Sequence, residues 1–422
     1  MKLIVGFDKL IKQMIRMIES ADKQVFILSF EFDLTYTKYD LLSVIEWAIR
    51  RGVAFYIITS NLGFSAPQTK IDSELALRRL REKYPESVFI KPNYCTDENM
   101  KFVSPFVNYL STLFSYNAYC RSFYNVTPSG IHARYVYNGR EMLVSGGVYS
   151  QRFIDNPHYE TGLLVSNVNI DVESAFSDVY SYKLPGPFTM SGNDMYHYII
   201  YNIHNCQTSI YIENQYFKSN PEDTQNRIGD ALIERIRRAI RRKEDFRCTI
   251  MTNWDCKDET IIRQNISGYY MKKSLKHLLC TLHNEFPLEL INEYLCICVS
   301  ENYLIHSKIF MFDNKNCLFT TANVYDASFY SKGQLEIGCF INDHPTICNT
   351  IKSGLINSVA NLRRISNEFI INYELSHIYN VDFMKQLTFV RAPIHSSLGL
   401  NIFHEDVCLC DNMCYDDMKK KI

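Results

Sequence analysis

His306 and Lys308 stand two residues apart, with Asp313 five residues beyond the lysine and Thr321 and Asn323 closing the stretch. Successive side chains of a strand point to opposite faces, so an imidazole and an ammonium two apart share one face. A titratable group and a fixed cation then meet the same ligand, an arrangement suited to proton transfer beside negative charge. The apolar run Ile309 to Phe312 reads as a buried strand, Asp313-Asn314 as the turn that ends it, and Cys317 to Thr321 as the return strand. Such a hairpin brings Asn323 back toward the level of His306.

The chain carries this device twice. His132 and Arg134 stand in the first half as His306 and Lys308 stand in the second, and Gly146-Gly147 align with Thr320-Thr321. The surrounding elements repeat as well. In the first half a strand over 23–32 precedes a helix with apolar residues at Leu41, Leu42, Ile45, Ala48 and Ile49, a stop at Gly52 and a buried strand over 54–59. In the second half a strand over 208–217, a helix over 230–242 and a strand over 248–253 follow in the same order. The expected fold class is α/β, with two pseudo-symmetric lobes, each a mixed sheet flanked by helices. One site lies at their interface, where the two histidines meet. Pro185-Gly-Pro marks the junction, giving lobes at 1–184 and 185–390 and a Cys-containing, basic-ended tail at 391–422.

Two imidazoles, two cations and an amide form a complete set for cleaving a phosphodiester by double displacement. One neutral imidazole attacks phosphorus, the other protonates the leaving alcohol and then activates water, and Arg134, Lys308 and Asn323 hold the phosphoryl oxygens. This chemistry requires neither metal nor cofactor. Each imidazole needs an acceptor on its second nitrogen to fix its tautomer, and Glu336 and Glu160, both in strand-like runs, are the expected orienters. Glu213, Asn214 and Gln215 put an acid and two amides into an apolar strand, so they and Thr321 are expected to line the cleft and touch substrate. His158, two residues before Glu160, reads as a surface residue.

Composition narrows the function classes. The chain has 422 residues, 46% hydrophobic and 22% charged, with a net charge of −1 and a pI of about 6.8. That is the profile of a globular protein with a sizeable core, and it lacks the basic balance usual for nucleic-acid binding. The N-terminus reads as a short strand followed by an amphipathic helix and does not have the uninterrupted apolar centre of a signal peptide. No apolar run is long enough to span a bilayer. The 14 cysteines are scattered, as expected of reduced thiols in the cytoplasm. Arg237, Arg238, Arg241, Arg242 and Lys243 read as a solvated helix face. In the tail, Cys408, Cys410 and Cys414 precede a lysine run, which makes them candidates for lipidation and peripheral membrane attachment.

The second copy, His-x-Lys-x4-Asp with a Thr-Thr-Ala-Asn and a later Glu, resembles the phospholipase D superfamily, and the paired arrangement of two lobes extends the resemblance over roughly residues 20 to 385. Asp313, within that string, is carried over with the catalytic set, the resemblance implying that this Asp is generally structural and lies away from the phosphate. Ile210-Tyr-Ile-Glu-Asn-Gln-Tyr-Phe looks like the motif preceding the second catalytic copy in phosphatidylcholine-hydrolysing members. The resemblance implies a metal-independent, cofactor-free phosphodiesterase working through a phosphohistidine, with His132 as nucleophile and His306 as acid, the reverse order remaining open. The implied reaction is hydrolysis or transphosphatidylation of a phospholipid, by a monomer with an internal pseudo-dimer that meets a membrane surface. The first copy departs from the pattern: Arg134 replaces Lys, Gly139 replaces Asp, and Tyr149 stands where the phosphate-binding Asn belongs. Two alternatives follow, a nuclease of the same superfamily and a weak or inactive membrane-associated protein of the viral envelope type. Abundant Tyr, Ile and Asn fit an AT-rich genome such as those of large DNA viruses.

Overall fold

The computed structural model describes residues 1–29, 32–35, 38–60, 67–93, 131–147, 158–177, 189–190, 192–222, 224–254, 261–300, 304–329, 335–358 and 362–372. The Pro185-Gly-Pro junction, Tyr149 and the tail with Cys408, Cys410 and Cys414 lie outside the described residues.

The first half contributes β1 (Lys2–Val5), β2 (Gln24–Ser29), β3 (Ala54–Ser60), β4 (Val88–Asn93), β5 (Tyr135–Tyr137), β6 (Glu141–Ser145), β7 (His158–Tyr159) and β8 (Thr161–Ser166). The second contributes β9 (Thr189–Met190), β10 (Ser209–Glu213), β11 (Arg247–Asn253), β12 (Leu295–Ser300), β13 (Leu304–Ile305), β14 (Ile309–Phe312), β15 (Asn316–Thr320), β16 (Gly338–Ile341) and β17 (Leu362–Arg364). Among the described residues, one sheet runs β1-β8-β6-β5-β2-β3-β4 and the other β9-β16-β15-β14-β10-β11-β12-β17. Strand for strand the order is the same, with β17 an added edge. In each sheet three strands run parallel and a hairpin carries the motif.

The repeat therefore begins at β1, earlier than the resemblance over 20–385 suggested. Helix Phe7–Glu19 precedes β2 as helix Gly192–Asn205 precedes β10. Gly162 and Gly338 occupy matching places on β8 and β16, where a Cβ would collide with Leu10 and Met195 respectively. Each of those two residues is the fourth of its helix, so both helices rest on their sheets in the same way.

Alternation along the strands divides the core. Val25 and Ile27 face an outer cluster with the helices Phe7–Glu19 and Leu41–Arg50, whereas Phe26 and Leu28 face inward. Ile210 and Ile212 likewise face an outer cluster with the helix Ile228–Arg242, and Tyr211 faces inward. The inward residues of both sheets form one cluster that also holds Ile131, Tyr159, Ile305 and Ile337. The motif residues border this shared layer. The basic helix face is not merely solvated, because Arg237 and Arg241 both bind Glu285 and Arg237 also binds Glu234.

Candidate active site

The residues before each motif hairpin do not stay in their own sheet. Ile131 bridges in parallel to Leu335, and the backbone N–H groups of His132 and Ala133 donate to the Leu335 carbonyl at 2.9 and 2.7 Å. Reciprocally, Leu304 and Ile305 pair in parallel with His158 and Tyr159, and the His306 N–H donates to the Tyr159 carbonyl at 2.9 Å. Leu335 precedes Glu336 and Tyr159 precedes Glu160, so each exchange delivers a carboxylate from one half to the imidazole of the other. His132 Nδ1 lies 2.8 Å from Glu336 Oε1, and His306 Nδ1 lies 2.6 Å from Glu160 Oε2. The expected orienters are both in place, and they are crossed.

His306, Ser307 and Lys308 lie between β13 and β14, yet their side chains still alternate. Ser307 turns to Glu213 in the core, whereas Lys308 Nζ donates to the His306 carbonyl and to Gln215 Oε1, the latter at 3.0 Å. Arg134 Nη1 donates to the His132 carbonyl at 2.7 Å, repeating the lysine's local bond. Both cations are almost fully buried, Arg134 at 2% exposure and Lys308 at 1%. Asn323 is fully buried, and neither its Nδ2 nor its Oδ1 has a hydrogen-bond partner among the described residues. An amide desolvated without partners costs roughly 1–3 kcal/mol, which a ligand at that place would offset.

Electrostatics follow from this burial. Desolvation first, then the Arg134 charge, lowers the His132 pKa to about 4 against the opposing pull of Glu336. The His306 imidazole is held well below its ordinary value by burial and by Lys308, Arg134, His158 and His132. Each ring therefore feels the cations of both halves. Burial pushes Glu160 up to about 7 despite Lys308 and Arg134, so the apo site favours neutral imidazoles and a carboxyl near its titration midpoint.

Several expected roles change. Asp313 binds no member of this cluster; its Oδ1 accepts the backbone N–H groups of Gln207, Thr208 and Ser209, tying the hairpin turn to the start of β10. It is structural, as its left-handed φ of 55° at the turn suits. Gly139 takes the same turn position with φ 93°, and the neighbouring Asn138 ties that turn to the Met17 carbonyl. The missing acid of the first copy is thus replaced one residue earlier.

Glu213, Asn214 and Thr321 are bonded internally instead of facing a cleft. Glu213 accepts from Ser307 and Tyr211, Asn214 clamps the backbone of Ala322, Tyr216 and Val324, and Thr321 donates to Glu336 at 2.6 Å. Gln215 alone of that group reaches a motif cation. The alignment also shifts by one: the N–H groups of Ser145 and Thr320 donate to the carbonyls of Arg134 and Lys308, so Gly146 matches Thr321. The first hairpin is one residue shorter.

His158 is buried at 5% exposure, not a surface residue; its ring sits 6.0 Å from that of His306 and 4.7 Å from Phe7. Sequence reading also passed over Ser328, which donates to Glu336 Oε1 at 2.6 Å and receives the Asn323 N–H. No periodic pattern could have flagged it, since it lies in the four-residue helix Asp326–Phe329. Among the described residues no cluster of three His, Cys, Asp or Glu could hold a metal ion, and no helix is long and apolar enough to cross a membrane.

Comparison with known proteins agrees with this geometry. Residues 199–353 match the family described as cardiolipin synthase, PLD-like domain. Phospholipase D C of Dictyostelium discoideum is 26% identical over 205 residues, covering 45% of this chain and 12% of that protein. Phospholipase D A of the same organism is 29% identical over 163 residues, 34% of this chain and 13% of the relative. The chain thus matches only a small part of these longer relatives. Among solved structures, phosphatidylserine synthase of Haemophilus influenzae Rd KW20 superposes with a TM-score of 0.62 at 12% identity, covering 93% of this chain and 94% of that one. That likeness is one of fold. The repeated His-x-cation motif and the matched second half support placing the chain in the phospholipase D superfamily.

Proposed function

We propose that this chain is a phosphodiesterase acting through a phosphohistidine, with a phospholipid as substrate. The observation that carries the reading is the reciprocal exchange that gives each motif histidine the other half's glutamate. Because each Nδ1 is committed to a carboxylate, Nε2 is the reacting nitrogen of both rings. Nε2 of one imidazole attacks phosphorus, the bond to the leaving alcohol breaks, and the other imidazole delivers a proton to that oxygen. The second imidazole then takes a proton from water or an alcohol as it attacks, and the P–N bond breaks to release the product and restore the first ring. Arg134, Lys308 and Asn323 balance the charge on the non-bridging oxygens.

Burial keeps the resting rings neutral, as the nucleophile must be. The acid must gain a proton, and an incoming phosphodiester anion between the two dyads favours that gain. The family resemblance makes His132 the nucleophile and His306 the acid. The relatives' names, phospholipase D and phosphatidylserine synthase, support a lipid over a nucleic acid, and near-neutral net charge points the same way. A cytoplasmic protein meeting a membrane surface, with the tail cysteines as lipidation points, completes the reading.

The test offers phosphatidylcholine vesicles carrying labelled choline, and separately single-stranded DNA, both without divalent metal. Choline release, with a phosphoryl adduct mapped to His132 or His306, is the expected result, and the adduct's position fixes the order of roles. Cleavage of DNA alone would transfer the mechanism to the nuclease reading. An adduct on neither imidazole and turnover of neither substrate would leave only a membrane-associated homologue.

A further inference from the structure

The two carboxylates are not held alike. Glu336 receives hydroxyl donors from Thr321 and Ser328 besides His132. Glu160 accepts from His306 and, at 3.3 Å, from the N–H of Thr161. The place of Thr321 is taken by Gly146, where a Cβ would fall 2.5 Å from Glu160 Oε1 and 2.8 Å from the His306 carbonyl oxygen. A hydroxyl-bearing side chain does not fit there.

The side chain that stands next to Glu160 besides His306 is that of His158. Its Nε2 lies 4.0 Å from Glu160 Oε2, the same oxygen that accepts from His306. The two imidazoles stand edge to face at 6.0 Å, and Phe7 covers the His158 ring at 4.7 Å. Pairing of His158 with Leu304 fixes the backbone from which the ring projects, two residues before His306.

We propose that His158 is a positioning residue of the site: acting through Glu160, it governs the protonation of His306. The inference deepens the phosphodiesterase reading, on which its kinetic test rests. A protonated His158 would repel a proton on His306 and hold Glu160 as the anion, whereas a neutral one would let the Glu160–His306 pair keep its proton. The other charged and titratable groups bearing on this pair are Lys308, Arg134, His132 and Tyr159, all of which remain when His158 is changed.

The experiment follows the imidazole resonances of the full chain by NMR across pH, with His306 assigned from H306N, in the wild type, H158Q and H158F. Removing the neighbouring charge should raise the His306 midpoint, by a shift on the order of one pH unit. The wild-type His306 resonance should also show a second inflection where His158 titrates, a readout that requires no variant to fold. On vesicles, H158Q should move upward the limb of kcat/KM that His306 sets, and retain more turnover than H158F, since a polar group remains beside Glu160. A His306 titration with no inflection from His158, or one unmoved in a folded H158Q, overturns the proposal. Absence of turnover in the wild type would instead strike the phosphodiesterase reading, while the NMR titration still decides the role of His158.

Discussion

The His132–Glu336 pair and the His306–Glu160 pair share one geometry and differ in what surrounds them. Glu336 is wrapped by the loop that follows its own sheet's motif hairpin, through Thr321 and Ser328, and that loop also carries Asn323. Glu160 is flanked by Gly146 and by a third imidazole. Duplication therefore preserved the backbone exchange while the side chains diverged. What this teaches is that the site is indivisible: the half with the degenerate motif supplies the carboxylate for the half with the complete one, and the reverse.

The sharpest way to break the comparison is to remove one ring from each side. H132N and H306N are each expected to lower kcat/KM for vesicle hydrolysis by roughly 10⁴-fold or more, with the double variant no worse than either alone, because the two groups act as a unit. A tenfold loss for H132N against a full loss for H306N would show that the first copy is not part of the chemistry.

Asn323 comes next. N323A removes an amide that has no hydrogen-bond partner among the described residues, so its folding stability should hold or rise slightly while turnover falls by roughly 10²-fold, the usual loss for one oxyanion donor. A matching thermal melt with unchanged kcat would remove Asn323 from the site.

The matched positions Gly146 and Thr321 test the carboxylate environments directly. G146A pushes a methyl against Glu160 and the His306 carbonyl, and a displacement of about 1 Å in such a dyad is expected to lower kcat by up to about 10²-fold. T321A removes one of two hydroxyl donors from Glu336 and leaves its position, so a loss of about tenfold is expected, the difference being read by parallel kcat measurements. Equal effects would mean that the two carboxylates are held with the same tolerance.

The sequence made the motif pairs, the repeat order and both orienting glutamates legible, because alternation and matched spacing are local properties. The crossing of the glutamates was not legible, since nothing in the spacing of His306 and Glu336 says that residues 304–306 pair with residues 158–159 of the other half. Burial of His158 was hidden for the same reason: its cover, Phe7, comes from the start of the chain. The resemblance already implied a structural Asp313, and what the sequence could not supply was its three backbone donors at the start of β10. Glu213 looked like a cleft residue because an acid in an apolar strand demands a partner, and its partners turned out to be two hydroxyls of its own half.

Those hydroxyls allow the smallest effect to be predicted most closely. By strand register, Tyr211, Glu213 and Ser307 in the second half match Phe26, Leu28 and Ala133 in the first. One half thus fills with a buried polar trio the space that the other fills with apolar side chains. Burial raises Glu213 to about 7 against the lowering pull of Ser307 and Tyr211. A carboxyl whose folded value exceeds its ordinary 4.5 lets stability fall as pH rises from that value to about 7, after which the loss is constant. E213Q should therefore match the wild type near pH 4.5 and exceed it above pH 7, by at most about 3 kcal/mol. E213L strands two hydroxyls and should destabilise by roughly 2–4 kcal/mol. The triple variant Y211F/E213L/S307A reproduces the first half's solution and should recover most of that loss, since replacing a whole buried polar set with apolar groups of similar shape is close to neutral. Turnover should stay within about tenfold of wild type, since Ser307 projects away from the cleft between His306 and Lys308. If the triple variant is no more stable than E213L, the trio does more than fill its layer, and the equivalence of the two halves ends at their backbones.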